Sequence, residues 1–164
     1  MVESLAGVPA GRWNELSSGD PFTSHEFLSA LMDTGCASAR SGWRPQIVLL
    51  EKEGRLAGAM PLFLKSHSYG EYVFDWAWAD AYQRHGLEYY PKLLCAVPFT
   101  PVAGARLLAA DPADRAALIQ TALELGRHAG EGFDHSKAFG CHRGIIELGQ
   151  PDQTQTPDLP EEPP

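Results

Sequence analysis

The sequence predicts a mixed α/β (α+β) domain followed by a tail, and three observations carry that reading. Residues 46–51 (QIVLLE) and 56–64 (LAGAMPLFL) are apolar runs separated by the turn Lys52-Glu53-Gly54-Arg55, the pattern of a β-hairpin. Asp111-Pro112-Ala113-Asp114 combines an Asp N-cap, a Pro at the first helical position and an acid in the first turn, the pattern of a helix start. Residues 149–164 (GQPDQTQTPDLPEEPP) hold four acids, five of the thirteen prolines and one aliphatic residue. Such a segment buries too little apolar surface to offset its ordering entropy, so it is expected to be disordered.

Taken in order, residues 1–5 are expected to form a short strand, and Pro9 to open a helical turn with Trp13 and Leu16 on one face. Ser24 is placed to cap a helix running to about Thr34, with Phe27, Leu28, Leu31 and Met32 at helical spacing and Gly35 as its stop. Pro61 in the second hairpin arm points to an edge or a bulge. Residues 71–78 (EYVFDWAW) alternate, with Tyr72, Phe74, Trp76 and Trp78 on one side, and are expected to be a strand. A helix is expected over 79–94, interrupted by Gly86 and Pro91, then a strand over 95–102 kinked at Pro98 and Pro101. The helix after Asp111 should run to about Arg127 and bury Leu118, Ala122 and Leu125. Past Gly130 the periodicity fades.

Composition sets the bounds on function. With 164 residues, 44% of them apolar, the chain has material for one core. A net charge of −8 argues against a nucleic-acid backbone as partner. No run approaches the roughly 18 apolar residues of a membrane span. The first twenty residues lack a basic start and an apolar run, and Cys36, Cys95 and Cys141 are odd in number and far apart, so a cytoplasmic protein with reduced thiols is expected. His128, His135, Cys141 and His142 do not have the spacing of a zinc site, and no metal is expected.

The densest polar cluster is residues 65–80, KSHSYGEYVFDWAWAD. His67 and Glu71 form a candidate proton-transfer pair, because burial and neighbours tune both toward neutrality. Lys65, Ser66, Ser68, Tyr69, Tyr72, Asp75, Asp80 and Tyr82 are candidate substrate-binding residues. The alternative is structural: Lys65, His67 and Glu71 solvated on a loop, Asp75 paired with a neighbouring Arg or Lys, and Asp80 a first-turn acid. Tyr82, Tyr89, Tyr90 and Lys92, read on one helix, form a second candidate group whose structural alternative is amphipathic packing.

Several phrases resemble a known family: PFTSHEFL (21–28), GWRP (42–45), PLFLKSHSYGEYVFDWAWADAY (61–82), YYPKL (89–93) and AVPFTPVAGARLL (96–108). Together they make residues 20–108 similar to a bacterial family of N-acyltransferases, the peptidoglycan biosynthesis/recognition proteins of the FemAB-like branch of the GNAT superfamily. The resemblance implies a GNAT-like fold, incomplete here, with helices on a mixed, mainly antiparallel sheet. It implies acyl transfer from acyl-CoA (acetyl-CoA) or a similar donor to an amine-bearing acceptor, with Glu71 or His67 accepting the proton and Tyr69, Tyr72 and Asp75 positioning substrate. No glycine-rich diphosphate loop between strand and helix is present. Family members are longer, so the chain is expected to be a truncated member: a half domain over 1–126, a divergent segment over 127–148 and the tail over 149–164. A docking face left uncovered would favour self-association. A substrate-recognition module without catalysis, or an inactive fragment, is the alternative to an enzyme.

Overall fold

The computed structural model describes residues 1–71 and 74–128. The chain runs α1 (Ala10–Ser17), a 3₁₀ turn (Pro21–Thr23), α2 (His25–Asp33), β1 (Trp43–Pro45), β2 (Val48–Lys52), β3 (Arg55–Met60), β4 (Leu62–Lys65), α3 (Trp76–Arg84), β5 (Lys92–Cys95), β6 (Leu108–Ala109) and α4 (Pro112–His128). The strands form two three-stranded antiparallel sheets, ordered β1-β4-β5 and β2-β3-β6.

The two sheets share one long hairpin. Its turn places Glu53 and Gly54 at φ 51° and 71°, the doubly positive pair that matches strand twist in a two-residue hairpin. The register is the same at Val48↔Met60 and at Pro45↔Phe63, while the strand pairing is interrupted at Ile47 and Pro61. Pro61 has no N–H to offer the ladder, and Ile47 instead exchanges two 2.9 Å backbone bonds with Val2. The first strand expected over residues 1–5 is thus a single bridge at Val2. Pro61 marks neither an edge nor a bulge, since β3 and β4 are both central strands; the bulge lies between Leu50 and Glu51.

Successive residues of these strands enter opposite cores. Ile47, Ala59, Phe63 and Leu94 pack with Leu5, Trp13, Leu28 and Trp43 on one side. Val48, Met60, Leu62, Leu93 and Cys95 pack with Leu118 and Ala122 of α4 on the other, with Leu125 half-buried against them. Burial on both faces explains why these strands read as continuous apolar runs. Gly58 permits the close helix-on-sheet approach: a Cβ there would stand 3.2 Å from Leu118 Cδ1. Two helix starts form as the sequence dictates. Ser24 Oγ accepts from Phe27 N at 3.3 Å, and Asp111 Oδ1 from Ala113 N at 2.8 Å.

The middle of the chain departs from expectation. The segment read as a strand over 71–78 enters α3 instead, because the Asp75 carbonyl accepts from Ala79 N and both neighbours of β4 are already filled by β1 and β5. The helix expected over 79–94 stops at Arg84, followed by Gly86 at φ 71°. Lys92–Cys95 is a strand, and 96–102 is irregular. Tyr72, the segment after 128, the zinc candidates beyond it and the tail lie outside the described residues.

Leu118 is 1% exposed between α4 and β3. Leu118→Ala is expected to cost about 2–5 kcal/mol in urea unfolding, whereas Trp78→Ala, at an exposed position, should change stability by under about 0.5 kcal/mol.

Candidate functional site

The site begins where β4 and β5 end their pairing. Lys65 is the last residue of β4, Lys92 the first of β5, and the two stand directly opposite each other in the register. Both are buried, at 0% and 1% exposed, and like charges facing across a ladder are unfavourable. Their ammonium groups diverge. Lys92 Nζ donates to Glu71 Oε2 at 2.8 Å and to Asp75 Oδ2, and all three side chains are at most 6% exposed. Lys65 Nζ donates to the Tyr69 carbonyl at 2.8 Å and sits 4.0 Å over the Trp43 ring. Two cations and two carboxylates thus lie beneath the loop that joins β4 to α3.

An aromatic wall closes one side. Lys92 Nζ is 5.5 Å from the Tyr89 ring and 5.7 Å from Tyr90, and Tyr82 packs edge-on against Tyr89 at 5.2 Å. The loop itself is seated by two glycines. A Cβ on Gly42 (φ 74°) would meet His67 Nε2 at 2.4 Å, and one on Gly70 (φ 84°) would meet Phe99 and Trp43 Nε1. Trp43 Nε1 and His67 Nδ1 are buried with no hydrogen-bond partner among the described residues.

Burial sets the proton affinities. It raises Glu71 above the usual carboxylate range, against the pull of the Lys92 hydrogen bond and charge. It brings Lys65 down to about 8, opposed by the charge of Glu71. For Lys92 burial works downward too, but the bonds to Asp75 and Glu71 outweigh it and hold the proton more firmly than usual. Tyr89 is raised by burial and by Asp75, and Tyr90 by burial against the effect of Ser68.

Of the sequence candidates, the structure gathers Lys65, Ser68, Glu71 and Asp75 in this buried cluster. His67 packs on Gly42 and, at 5.2 Å, on the Tyr69 ring; Tyr69 and Ser66 are exposed. Asp80 pairs with Arg84 one turn along exposed α3. Asp75 takes the structural alternative, pairing with a lysine, and still belongs to the cluster. In the sequence Lys92 stands only as a neighbour of tyrosines on an expected helix and in the phrase YYPKL, and Trp43 only in the phrase GWRP. The available clue was a lysine ending each of two apolar runs, PLFLK and KLLCAV. Among the described residues no group of three or more His, Cys, Asp or Glu is placed to hold a metal ion, and no helix is long and apolar enough to cross a membrane.

The fold and the site define a mixed α/β domain with a buried acid–base cluster under an irregular loop. The chain belongs to the FemAB-like family, described as peptidoglycan biosynthesis/recognition, which matches residues 4–153 and so runs past residue 126. No curated protein and no solved structure matches the chain.

Removing Lys92 leaves two buried carboxylates without their cation. Lys92→Met is expected to lose about 3–5 kcal/mol of unfolding free energy at pH 7, with the deficit shrinking as the pH falls and the carboxylates take up protons. Urea titrations at pH 7 and pH 5 check this; a pH-independent loss under about 1 kcal/mol would contradict it.

Proposed function

We propose that the protein is an N-acyltransferase that moves an acyl group from an activated donor to an amine, with Glu71 as the proton acceptor. The observation that supports this best is the Glu71 carboxylate itself, buried, fixed on Lys92 at 2.8 Å and raised in proton affinity by its surroundings. An amine attacks only in its unprotonated form, so one that is protonated in solution loses that proton before the step, and the neutral nitrogen sheds a further proton as the amide forms. In the step, the neutral nitrogen bonds to the acyl carbon, the bond from that carbon to the donor's leaving atom breaks with its electron pair staying on the leaving atom, and the nitrogen's proton passes to Glu71. A carboxylate whose proton affinity is raised toward the working pH is the better base. His67, seated on Gly42, is the second candidate acceptor. Ser68, Tyr69, Asp80 and Tyr82 are the proposed contacts of the acceptor, with Asp75 and Lys65 beneath them.

Acyl-CoA is the donor the family resemblance implies, and the described helix starts do not suit its diphosphate. At α4 the first turn holds Asp111 and Asp114, the latter paired with Lys52. α2 has Ser24 at its N-cap and Glu26 in its first turn, and α3 has Asp75 at its N-cap. Near the start of α1, Arg12 is engaged with the Gly54 carbonyl. The proposal therefore rests on the proton-transfer cluster and routes no step through CoA.

A second reading, a recognition module without catalysis, draws on α3. None of its residues is buried, and Trp76 and Trp78 are 58% and 65% exposed, with Phe74 stacked on Trp76 at 4.9 Å. Such a surface favours docking or self-association. A thermal melt with and without excess acetyl-CoA, followed by transfer assays on a panel of amines, separates the readings. With acetyl-CoA as the donor, the transferase reading expects a shift of about 5–10 °C at a hundredfold excess over the dissociation constant. It also expects transfer that Glu71→Gln lowers by about 10²–10⁴ while leaving the melt shift in place. A cooperative melt with neither shift nor transfer would favour the recognition module.

A further inference from the structure

The two buried lysines are not equivalent. Lys92 takes both carboxylates, whereas among the described residues no carboxylate stands within 4.0 Å of Lys65, which contacts the Tyr69 carbonyl and the Trp43 face. A fully buried lysine without an ion pair is costly, and one set directly opposite a second lysine is more so. The apolar strands would be better finished by Leu or Met at this position. Lys65 does two things that neither would do. Its Nζ ties down the loop carbonyl two residues before Glu71, with the ring of Trp43 as its seat. It also adds a second positive charge to the cluster, acting on Glu71 without touching it.

We infer that Lys65 is a positioning residue for Glu71: it anchors the 66–71 loop on Trp43 and supplies the second cation that keeps the Glu71 carboxylate ready to take a proton. This rests on the role proposed for Glu71 above. The groups around Glu71 are Lys92 from β5, Lys65 from β4, Asp75 at the start of α3, and Tyr89 and Tyr90 ahead of β5. Lys92 holds its proton above the ordinary lysine value and Lys65 releases its own at about 8. Of the two cations, only Lys65 switches near neutral pH. The Lys65 charge is full well below pH 8 and is lost as the pH rises through it, while the Lys92 charge stays.

The test follows the Glu71 side-chain carboxyl by ¹³C NMR across pH in the full chain. The wild type is expected to show its own acid transition and a second inflection near 8 that reports Lys65. Lys65→Arg keeps the charge at all accessible pH and should abolish the second inflection while leaving the first in place. Lys65→Met should abolish the second and move the first upward by about half to one pH unit. A wild-type curve without an inflection near 8, or an inflection that survives in Lys65→Arg, overturns the assignment. Should both variants fail to fold, the wild-type curve alone decides. The titration needs no acyl donor or acceptor, so failure of the transferase reading appears in the transfer assay and failure of this one in the spectrum.

Discussion

Lys92 enters the protein interior at the first position of β5, and its ammonium meets two carboxylates that the chain brings from the preceding loop. Removing these three charges from water is expensive, and only close mutual hydrogen bonding offsets that cost. The constraint shapes the surrounding backbone. Glu71 and Asp75 must both reach one ammonium, and a strand would set two residues four apart about 13 Å from each other, so the two do not lie along one strand. Asp75 stands at the N-cap of α3 with its carboxylate on Lys92 rather than on the helix N–H groups. Tyr89 and Tyr90 then close over the cluster from the segment that leads into β5.

The elements legible in the sequence are those whose cause is local. The caps at Ser24 and Asp111 and the Glu53-Gly54 turn each depend on a few adjacent residues, and each forms where the chemistry places it. The sequence pointed to an edge or a bulge at Pro61, and the structure has neither there, because Val2, distant in sequence, takes the Ile47 bonds. The aromatic alternation over 71–78 misled because Phe74, Trp76 and Trp78 are exposed, so no sheet face sets their period. The helix expected over 79–94 extended through the chain's own breakers, Gly86 and Pro91, and carried Lys92 onto the wrong kind of element.

The site shows the same division. The density of polar groups over 65–80 located the loop, since side chains of that chemistry rarely crowd together beside four aromatics without a purpose. Their individual partners were not legible. Lys92 lies 17 and 21 residues from its two carboxylates, and nothing in local spacing joins them. Nor does composition say which of two lysines is paired. The answer depends on Trp43 occupying the place beneath Lys65, a residue of β1 that carries no polar pattern of its own. A buried ammonium held by a carbonyl and a ring face, with no carboxylate partner among the described residues, is a costly arrangement.

The claim on which the site stands is that Lys92 and Asp75 are energetically coupled in the folded state. A double-mutant cycle of Lys92→Met, Asp75→Asn and the pair, read by urea unfolding at pH 7, measures that coupling directly. The ion-pair account predicts that the double variant is more stable than the sum of the single losses by about 1.5–3 kcal/mol. Losses that add to within about 0.5 kcal/mol would show that the two side chains are neighbours without being partners, and would contradict it.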